Sequence, residues 1–360
     1  MKKRMSLIAL GLSVALGLAP AGAIAQVCTA SANVTVVSGG LNNPRGLKFG
    51  PGGDLYVAEG GTGGTLSTAG SCAQVIPPIG PYTGGFTARI SKISAAGVRT
   101  PVVDNLPSSQ TSDKTGGLVS GVADIAFVGN TLYGLLAGAG CSHGILNVPN
   151  GVFRLDPSGA TPIIANLSAY QATHPVANPE PDDFEPDGTW YSMVEVRGDL
   201  YAVEPNHGEL VRIGQDGSIR RVVDISANYG HVVPTAIAYD GNFYVGTLGT
   251  FENNFQAMVL KITPSGQTQV VISGLTSILG LVVRHGTIYV LENEGGFPVP
   301  CAGRVLRVNK SGHLAKAVEI ASGLMLPTAM TLGPDDALYV SVNGFGFPPT
   351  FGQVVRIQID

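Results

Sequence analysis

The chain has 360 residues, of which only 13% are charged, and a formal net charge of −4. Three of its 21 basic residues, Lys2, Lys3 and Arg4, lie at the N-terminus, which leaves 18 against 25 acidic residues in the rest of the chain. No basic cluster remains there, and this argues against nucleic-acid binding, which depends on Lys and Arg contacts to phosphates. The 50 glycines and 24 prolines favour short strands and turns over helices.

The N-terminal segment has the pattern of a secretory signal. A basic head, MKKR, precedes an apolar run over residues 7–18 and the small-residue sequence AGAIAQ. We therefore predict a signal peptide over residues 1–25 and an exported protein, periplasmic or extracellular. An uncleaved anchor is the alternative. The run is shorter than the roughly 20 apolar residues that a membrane-spanning helix needs, and we expect no membrane span elsewhere.

Six copies of one strand pattern follow, and each is centred on a tyrosine. The later copies recur about 45 residues apart, and insertions lengthen the first two repeats. The strand after each tyrosine strand carries a basic residue at one fixed place. A repeat of this size without helical periodicity is typical of a four-stranded propeller blade. The tyrosines and basic residues are Tyr56 and Lys92, Tyr133 and Arg154, Tyr201 and Arg212, Tyr244 and Lys261, Tyr289 and Arg307, and Tyr339 and Arg356.

The sixth repeat ends after its third strand, QVVRIQID. The segment ANVTVVSGGL, residues 32–41, matches the fourth strands of the other repeats in type and length. We therefore predict an all-β, six-bladed β-propeller over residues 26–360, with four-stranded antiparallel blades and the N-terminal strand closing the last blade. A ring of seven or eight blades would need more copies of the tyrosine strand, and a β-sandwich does not predict a regular period.

The four cysteines are Cys28, Cys72, Cys141 and Cys301, and their spacing matches no zinc site. Cys72 and Cys141 fall in equivalent loops of neighbouring repeats, so we predict that they form a disulfide. Cys28 and Cys301 are then left as the second pair.

The insertions are confined to one face of the predicted ring. Turns after the first and third strands of each repeat are short, whereas the loops after second strands and the links between blades are long. The longest link, AYQATHPVANPEPDDFEPDGTWY, joins the second and third blades. Loops held by a rigid scaffold are where binding and catalysis concentrate, so we expect a ligand site on this loop-rich face.

Polar residues at the ends of second strands and at the entries to first strands are the candidate ligand-binding groups. They could ligate a divalent cation or include a general base, or each could cap its own strand. We assign no catalytic residue. The candidates are Arg45, Glu59, His143, Tyr191, Glu204, Asn206, His207, His231, Thr235, Glu292, Glu294 and Asn343. The metal candidates among them are Glu59, Glu204, Asn206, His231 and Glu292.

Other signals are weaker. The acidic residues Asp182, Asp183, Glu185 and Asp187 lack the spacing of an EF-hand loop, and we expect them to form an acidic surface loop.

Three segments carry a resemblance to a known family: LNNPRGLKFGPGGDLYVAEGG, EPDGTWYSMVEVRGDLYAVEPNHGELVRI and VPTAIAYDGNFYVGTLGTF. They resemble the ScyD/ScyE family, named for proteins of scytonemin biosynthesis, over nearly all of the mature chain. The resemblance implies an exported six-bladed propeller related in shape to NHL-repeat and TolB-like rings. The third-blade loop reads EPNHGEL where relatives tend to show Asp, Ala and Asn, so no role is carried over to Glu204 or His207.

Two functions fit these observations. In the first, a monomeric exported propeller binds a small molecule or a protein partner on its loop-rich face. In the second, it is a metal-assisted hydrolase or lactonase-like enzyme of the six-bladed type, with a divalent cation as cofactor; this rests on analogy of fold alone. A quinone-dependent sugar dehydrogenase is a third possibility, but no Arg/His/Lys group supports it. The sequence leaves open whether the protein is an enzyme.

Overall fold

The computed structural model describes residues 28–296, 298–309 and 316–359, and it consists of six β-sheets arranged as the blades of one propeller. The predicted fold class is confirmed. The predicted signal peptide, residues 1–25, lies outside the described residues. Among those described, no helix is long and apolar enough to cross a membrane.

The chain enters through β1 (Val34–Leu41), and the first two blades follow. The first blade contains β2 (Pro44–Phe49), β3 (Leu55–Glu59), β4 (Thr83–Ile93), β5 (Arg99–Gln110) and a short fifth strand, β6 (Val119–Ser120). The second blade contains β7 (Val122–Val128), β8 (Thr131–Leu136), β9 (Gly151–Arg154) and β10 (Ile163–Asn166). The fifth strand departs from the predicted four-stranded blade, because the long β5 continues past the sheet and pairs with the link to the second blade.

The third and fourth blades have the expected four strands each. The third contains β11 (Ser192–Val196), β12 (Asp199–Glu204), β13 (Glu209–Ile213) and β14 (Ile219–Asp224). The fourth contains β15 (Pro234–Tyr239), β16 (Phe243–Thr247), β17 (Gln256–Ile262) and β18 (Thr268–Thr276).

The fifth blade contains β19 (Ile278–Arg284), β20 (Thr287–Asn293), β21 (Gly303–Asn309) and β22 (Val318–Leu324). The sixth contains β23 (Ala329–Leu332), β24 (Leu338–Val342) and β25 (Gly352–Ile357). Its fourth strand is β1, which pairs antiparallel with β25, from Val34 opposite Ile357 to Leu41 opposite Gly352. The predicted closure by the N-terminal strand is therefore confirmed.

The two α-helices lie on the loop-rich side of the blades. The links after the second and third blades begin with α1 (Leu167–Thr173) and α2 (Ile225–Tyr229). Each is started by an N-cap side chain, Asn166 or Asp224, which accepts a backbone N–H three residues later. Single 3-10 turns occur at Asp113–Thr115, Cys141–His143 and Phe251–Asn253.

The repeated tyrosines and basic residues have a common explanation. In all six blades the tyrosine of the second strand lies directly opposite the Lys or Arg of the third, as Tyr56 does with Lys92. Directly opposed side chains are the closest neighbours across an antiparallel pair. The same stabilising pair of positions therefore occurs once in each of the six blades. Some of the tyrosines also contact the next blade: the Tyr56 ring is 5.0 Å from Phe127, and the Tyr339 ring is 4.9 Å from Phe49.

The hydrophobic core lies between the blades. Six buried clusters each combine side chains of two neighbouring blades, including one between the sixth blade and the first. Leu41 of β1, which is fully buried, belongs to that last cluster with Leu47 and Val57 of the first blade. The N-terminal strand thus contributes to the core as well as to the hydrogen bonds that close the ring.

Candidate functional site

The glutamates that end three of the second strands have a shared structural role. One carboxylate oxygen of each accepts the backbone N–H of the link that enters the same blade. The distances are 2.7 Å from Asn42 N to Glu59, 2.7 Å from Thr189 N to Glu204 and 2.9 Å from Thr276 N to Glu292. All three glutamates are fully buried. They fix the point at which each link turns into its first strand.

The other oxygen of each glutamate is also occupied. Glu59 binds Arg99 Nη2 at 2.7 Å, Glu292 binds Arg304 Nη2 at 2.6 Å, and Glu204 binds the backbone N–H of His207 and its Nδ1, the latter at 3.1 Å. These carboxylates lie in the first, third and fifth blades and do not converge. In the part of the chain that the structure describes, no three His, Cys, Asp or Glu side chains are grouped as a metal site would require. The predicted set of metal ligands therefore does not form one site, because arginine and backbone donors fill its oxygens.

Two of the candidates at the entries to first strands, Tyr191 and Arg45, lie in the central channel. The Tyr191 hydroxyl donates to Thr328 O at 3.0 Å, so this side chain crosses from the third blade to the opposite sixth blade. The buried Arg45 guanidinium donates to Gly344 O and to Val119 O. Burial raises the pKa of Tyr191 to about 12, with Asp124 adding to the shift and Arg45 opposing it. Tyr191 is therefore a neutral structural group at ordinary pH.

Three further candidates make contacts within the scaffold. Thr235 is buried and donates to Ile278 O at 2.5 Å, which links the fourth blade to the fifth. The exposed Glu294 pairs with Arg304 at 2.9 Å. Asn343 donates its amide to Phe351 O at 3.0 Å and supports its own loop.

The remaining candidates gather around the link between the second and third blades. Asn206 organises residues 180–185 of this link: its backbone O accepts Glu180 N at 2.8 Å, its Oδ1 accepts Glu185 N at 2.8 Å, and its Nδ2 donates to Asp183 O at 3.1 Å. One buried amide at the end of β12 thus shapes the acidic segment. That segment lies at the surface, with Asp182 exposed and Asp183 partly so, but it is folded against the scaffold, where Glu185 is buried.

A carboxylate–imidazole pair lies on the accessible side of this segment. His231 Nε2 contacts Glu180 Oε2, and the two side chains are 13% and 14% exposed. Burial alone would raise the pKa of Glu180, but hydrogen bonds from His231 and from the Asp182 and Asp183 backbone outweigh it and lower the pKa. Glu180 is therefore ionised near neutral pH and holds the His231 ring in place.

Asp183 is next to this pair and has the most unusual acidity of the site. Burial, together with repulsion from Glu185 and Glu180, raises its pKa to about 7, although His231 opposes the shift. A carboxyl group with such a pKa exchanges its proton readily at neutral pH, as a general acid or base must. Asp183 remains partly accessible, so a substrate can reach it.

Buried residues from the first two blades support the acidic segment from behind. Glu185 accepts the Tyr82 hydroxyl at 2.8 Å, and its other oxygen lies 3.2 Å from His143 Nε2 without forming a hydrogen bond. That nitrogen faces Gly188 O, also at 3.2 Å. His143 Nδ1 lies 2.9 Å from Ser109 Oγ. This series has the residue types of a Ser–His–acid triad, but Ser109 is fully buried and no substrate carbonyl can reach its hydroxyl. We conclude that it positions the loop.

His207 completes the support on the side of the third blade. Its ring lies 4.9 Å from the ring of Phe184, which is 40% exposed on the surface of the site. Burial alone would lower the pKa of His207, but the Glu204 carboxylate outweighs it and raises the pKa. The pair holds Phe184 beside Asp183.

The sequence did not mark Tyr82 or Glu180 as site residues, and it placed Asp183 and Glu185 only in an acidic surface loop. The available signal was the density of carboxylates in PEPDDFEPDG, which ends two residues before Trp190, just ahead of the third blade. Trp190 is buried and anchors this end of the link. His143, Glu204, Asn206, His207 and His231 do lie around the segment.

The structure contains the two disulfides favoured by the sequence. Cys72–Cys141 joins the loops of the first and second blades, two residues from His143. Cys28–Cys301 joins the segment before β1 to the loop between β20 and β21.

Comparison with known proteins supports the fold. No family model matches the chain, and no curated protein matches it. Among solved structures, it is similar to the PQQ-bound aldose sugar dehydrogenase of Streptomyces coelicolor, with 15% identity, a TM-score of 0.60, and coverage of 92% of this chain and 99% of that one. It is also similar to a gluconolactonase of Xanthomonas campestris, with 10% identity, a TM-score of 0.55, and coverage of 90% and 89%. A third is the calcium-binding protein regucalcin of Agrobacterium tumefaciens, with 13% identity, a TM-score of 0.53, and coverage of 90% and 92%. At these identities the likeness establishes the propeller fold alone.

Proposed function

We propose that the protein is a propeller hydrolase that opens an ester or lactone bond of a small polar substrate on its loop-rich face. The observation that carries the proposal is the juxtaposition of a partly exposed carboxyl, Asp183, with the Glu180–His231 pair. The groups are held by Asn206 and by buried side chains of three blades, which is the rigid support that a catalytic arrangement needs.

The proposed reaction needs two proton transfers. Asp183, as carboxylate, takes a proton from a water molecule whose oxygen attacks the ester carbon and forms a tetrahedral intermediate. The intermediate collapses by breaking the bond to the alkoxy oxygen, and Asp183 gives that oxygen the proton that it took from water. The hydroxyl group of water thereby ends on the acid and its other proton on the alcohol.

This proposal differs from the metal-assisted enzyme suggested by fold analogy. The glutamates that could have held a cation already bind Arg99, Arg304 and backbone N–H groups. We therefore derive no step through a metal. Structural neighbours that include a gluconolactonase and sugar dehydrogenases give the hydrolase more support than a purely binding role, but only at the level of fold.

Hydrolysis of a panel of aldonolactones, aliphatic lactones and nitrophenyl esters, followed by pH-stat with and without a chelator, tests the proposal. We expect Asp183→Asn to lower kcat/KM by about 10²–10⁴-fold, the usual contribution of general acid–base catalysis. We expect kcat/KM of the wild type to rise with pH near 7, as Asp183 loses its proton. Asp182→Asn, at the exposed neighbouring carboxylate, is the matched control and should change it less than about threefold. Equal activity of Asp183→Asn and wild type would contradict the assignment.

A second candidate function is ligand binding without chemistry. Exposed aromatic side chains from three blades favour it, since Phe184, Phe251 and Phe351 are 40%, 78% and 47% exposed on the loop-rich face. Binding of panel members without turnover by the wild type would favour this function over the hydrolase.

Three further properties are proposals from the sequence. We propose that the protein belongs to the ScyD/ScyE family, on the three resembling segments. We propose export to the periplasm or cell exterior, with which two disulfides are consistent. We also propose that it acts as a monomer, without nucleic-acid partners.

A further inference from the structure

A cavity of about 260 Å³ lies in the central channel, away from the site on the loop-rich face. The inner strands of all six blades line it. Its polar wall comes from the first three blades and includes Lys48, Asp124 and Ser192. The later blades contribute mainly apolar residues, among them Leu281, Met330 and Leu332, the first two of which also belong to the clusters between blades. The cavity is therefore two-sided, with charge on one wall and hydrocarbon on the other.

The cavity opens on the face that carries the hairpin turns. Towards the loop-rich face, Tyr191 crosses the channel to Thr328 O, and the buried Arg45 lies beside it. Near the hairpin turns its lining is partly exposed, as at Lys48, Tyr239 and Leu332. Asp183, Glu180 and His231 are not among the residues that line this cavity.

On the polar wall, the Asp124 carboxylate has several hydrogen-bond donors, whereas the Lys48 ammonium has only one nearby acceptor among the residues described. Asp124 is 2% exposed and accepts hydrogen bonds from Ile125 N at 2.8 Å, Met193 N at 2.8 Å and Ser192 Oγ at 3.1 Å. Lys48 Nζ lies 3.5 Å from Asp124, at the outer limit of a hydrogen bond, with its side chain 28% exposed. Its other two N–H donors have no acceptor among the residues described. The wall can therefore receive an anionic group more readily than a cationic one.

Backbone geometry keeps this arrangement in place. A Cβ atom at Gly46 would lie 1.9 Å from Asp124 Oδ1, so glycine is needed for Asp124 to occupy its position. The buried carboxylate in turn holds Lys48 at the wall of the cavity.

We propose that the channel cavity binds a small organic anion with an apolar body, whose carboxylate contacts Lys48 and whose hydrocarbon part packs against Leu281, Met330 and Leu332. Its size suits a single ring, since an apolar cavity of about 150 Å³ already accommodates benzene. The proposed site is independent of the hydrolase proposed above.

The test compares benzoate with its neutral and cationic analogues, benzamide and benzylamine, by calorimetric titration at constant ionic strength. We expect benzoate to bind with the highest affinity and benzylamine with the lowest. Lys48→Met should weaken benzoate binding about tenfold or more, because a charge-assisted contact is lost. Lys92→Met removes a lysine that pairs with Asp54 at 3.0 Å on the first blade, and this matched control should leave binding unchanged.

Two further variants keep the result interpretable. Lys48→Arg retains the charge and should retain binding, while Met330→Trp should fill the cavity and abolish it; thermal unfolding checks that each variant is folded. Equal affinity for benzoate and benzylamine, or unchanged affinity in Lys48→Met, would overturn the proposal. If ester hydrolysis is found, benzoate bound in the channel should not inhibit it, and competitive inhibition would place benzoate on the loop-rich face instead.

Discussion

At the scale of single residues, the pKa of Asp183 shows how neighbouring charged groups and burial set the acidity of a carboxyl group. Glu180 and Asp183 come from one short segment, yet their pKa values move in opposite directions. Glu180 has His231 and two backbone N–H groups as donors, and Asp183 is surrounded mainly by other carboxylates. Carboxyl groups whose environments separate their pKa values in this way can hold different protonation states at one pH, which acid–base chemistry requires.

The raised pKa of Asp183 predicts a pH-dependent cost in stability. A carboxyl whose pKa is about 7 in the folded protein and about 3.9 in the unfolded chain binds its proton more tightly when folded. The free energy of unfolding therefore falls as the pH rises between these values. We expect Asp183→Asn to be more stable than wild type by about 1–3 kcal/mol at pH 8, after allowance for solvent screening, and to show little difference at pH 4. Guanidinium unfolding at both pH values measures this, and an equal difference at the two would contradict the shifted acidity.

At the scale of elements, the second strands of three blades share one structural feature. A buried glutamate at the end of the strand accepts the backbone N–H of the incoming link. In the first and fifth blades an arginine of the same blade neutralises it. Such a carboxylate is costly to disturb, because a buried charge that loses its partner is left uncompensated.

We expect Glu59→Gln to lower the free energy of unfolding by about 2–4 kcal/mol, since it leaves the Arg99 guanidinium without its counter-charge and weakens the bond to Asn42. Asp54→Asn, which breaks the more exposed pair with Lys92, is the control and should cost less than about 1 kcal/mol. Urea unfolding of both variants gives the comparison. If Glu59→Gln costs no more than the control, Glu59 has some role other than structure.

The elements could be predicted from the sequence far better than the site. The tyrosine and basic positions repeat because the same cross-strand contact recurs, and a contact that recurs at a fixed place in each repeat can be recognised in the sequence. The ion pair between Arg99 and Glu59 cannot be read from the sequence, because Arg99 lies two strands away and nothing in the spacing shows where its side chain points. Likewise, residues 180–185 are held against the scaffold by Asn206, which follows β12, and nothing in the spacing shows this contact. The sequence predicted only an acidic surface loop.

At the scale of the whole molecule, the ring is closed by contacts between the two ends of the chain. β1 pairs with β25, and the segment before it lies along the fifth blade, where Ser31 N donates to Ser322 O at 3.2 Å and Asn33 Nδ2 donates to Ile320 O at 3.0 Å. The missing strand of the sixth repeat made this closure predictable from the sequence. A ring closed in this way has no exposed edge from which the first or last blade could separate.

The two disulfides should therefore affect different properties. Cys28–Cys301 spans 273 residues and secures the closing segment, whereas Cys72–Cys141 spans 69 residues and secures the loop that carries His143. We expect the double replacement of Cys28 and Cys301 by serine to lower the free energy of unfolding by about 2–5 kcal/mol and to leave turnover on the loop-rich face unchanged. The same replacement of Cys72 and Cys141 should lower kcat/KM, because His143 and Glu185 lose the fixed loop that supports Asp183. Guanidinium unfolding and the lactone assay on both variants separate the two effects. The reverse pattern, with activity lost only when Cys28–Cys301 is removed, would mean that the active face depends on closure of the ring.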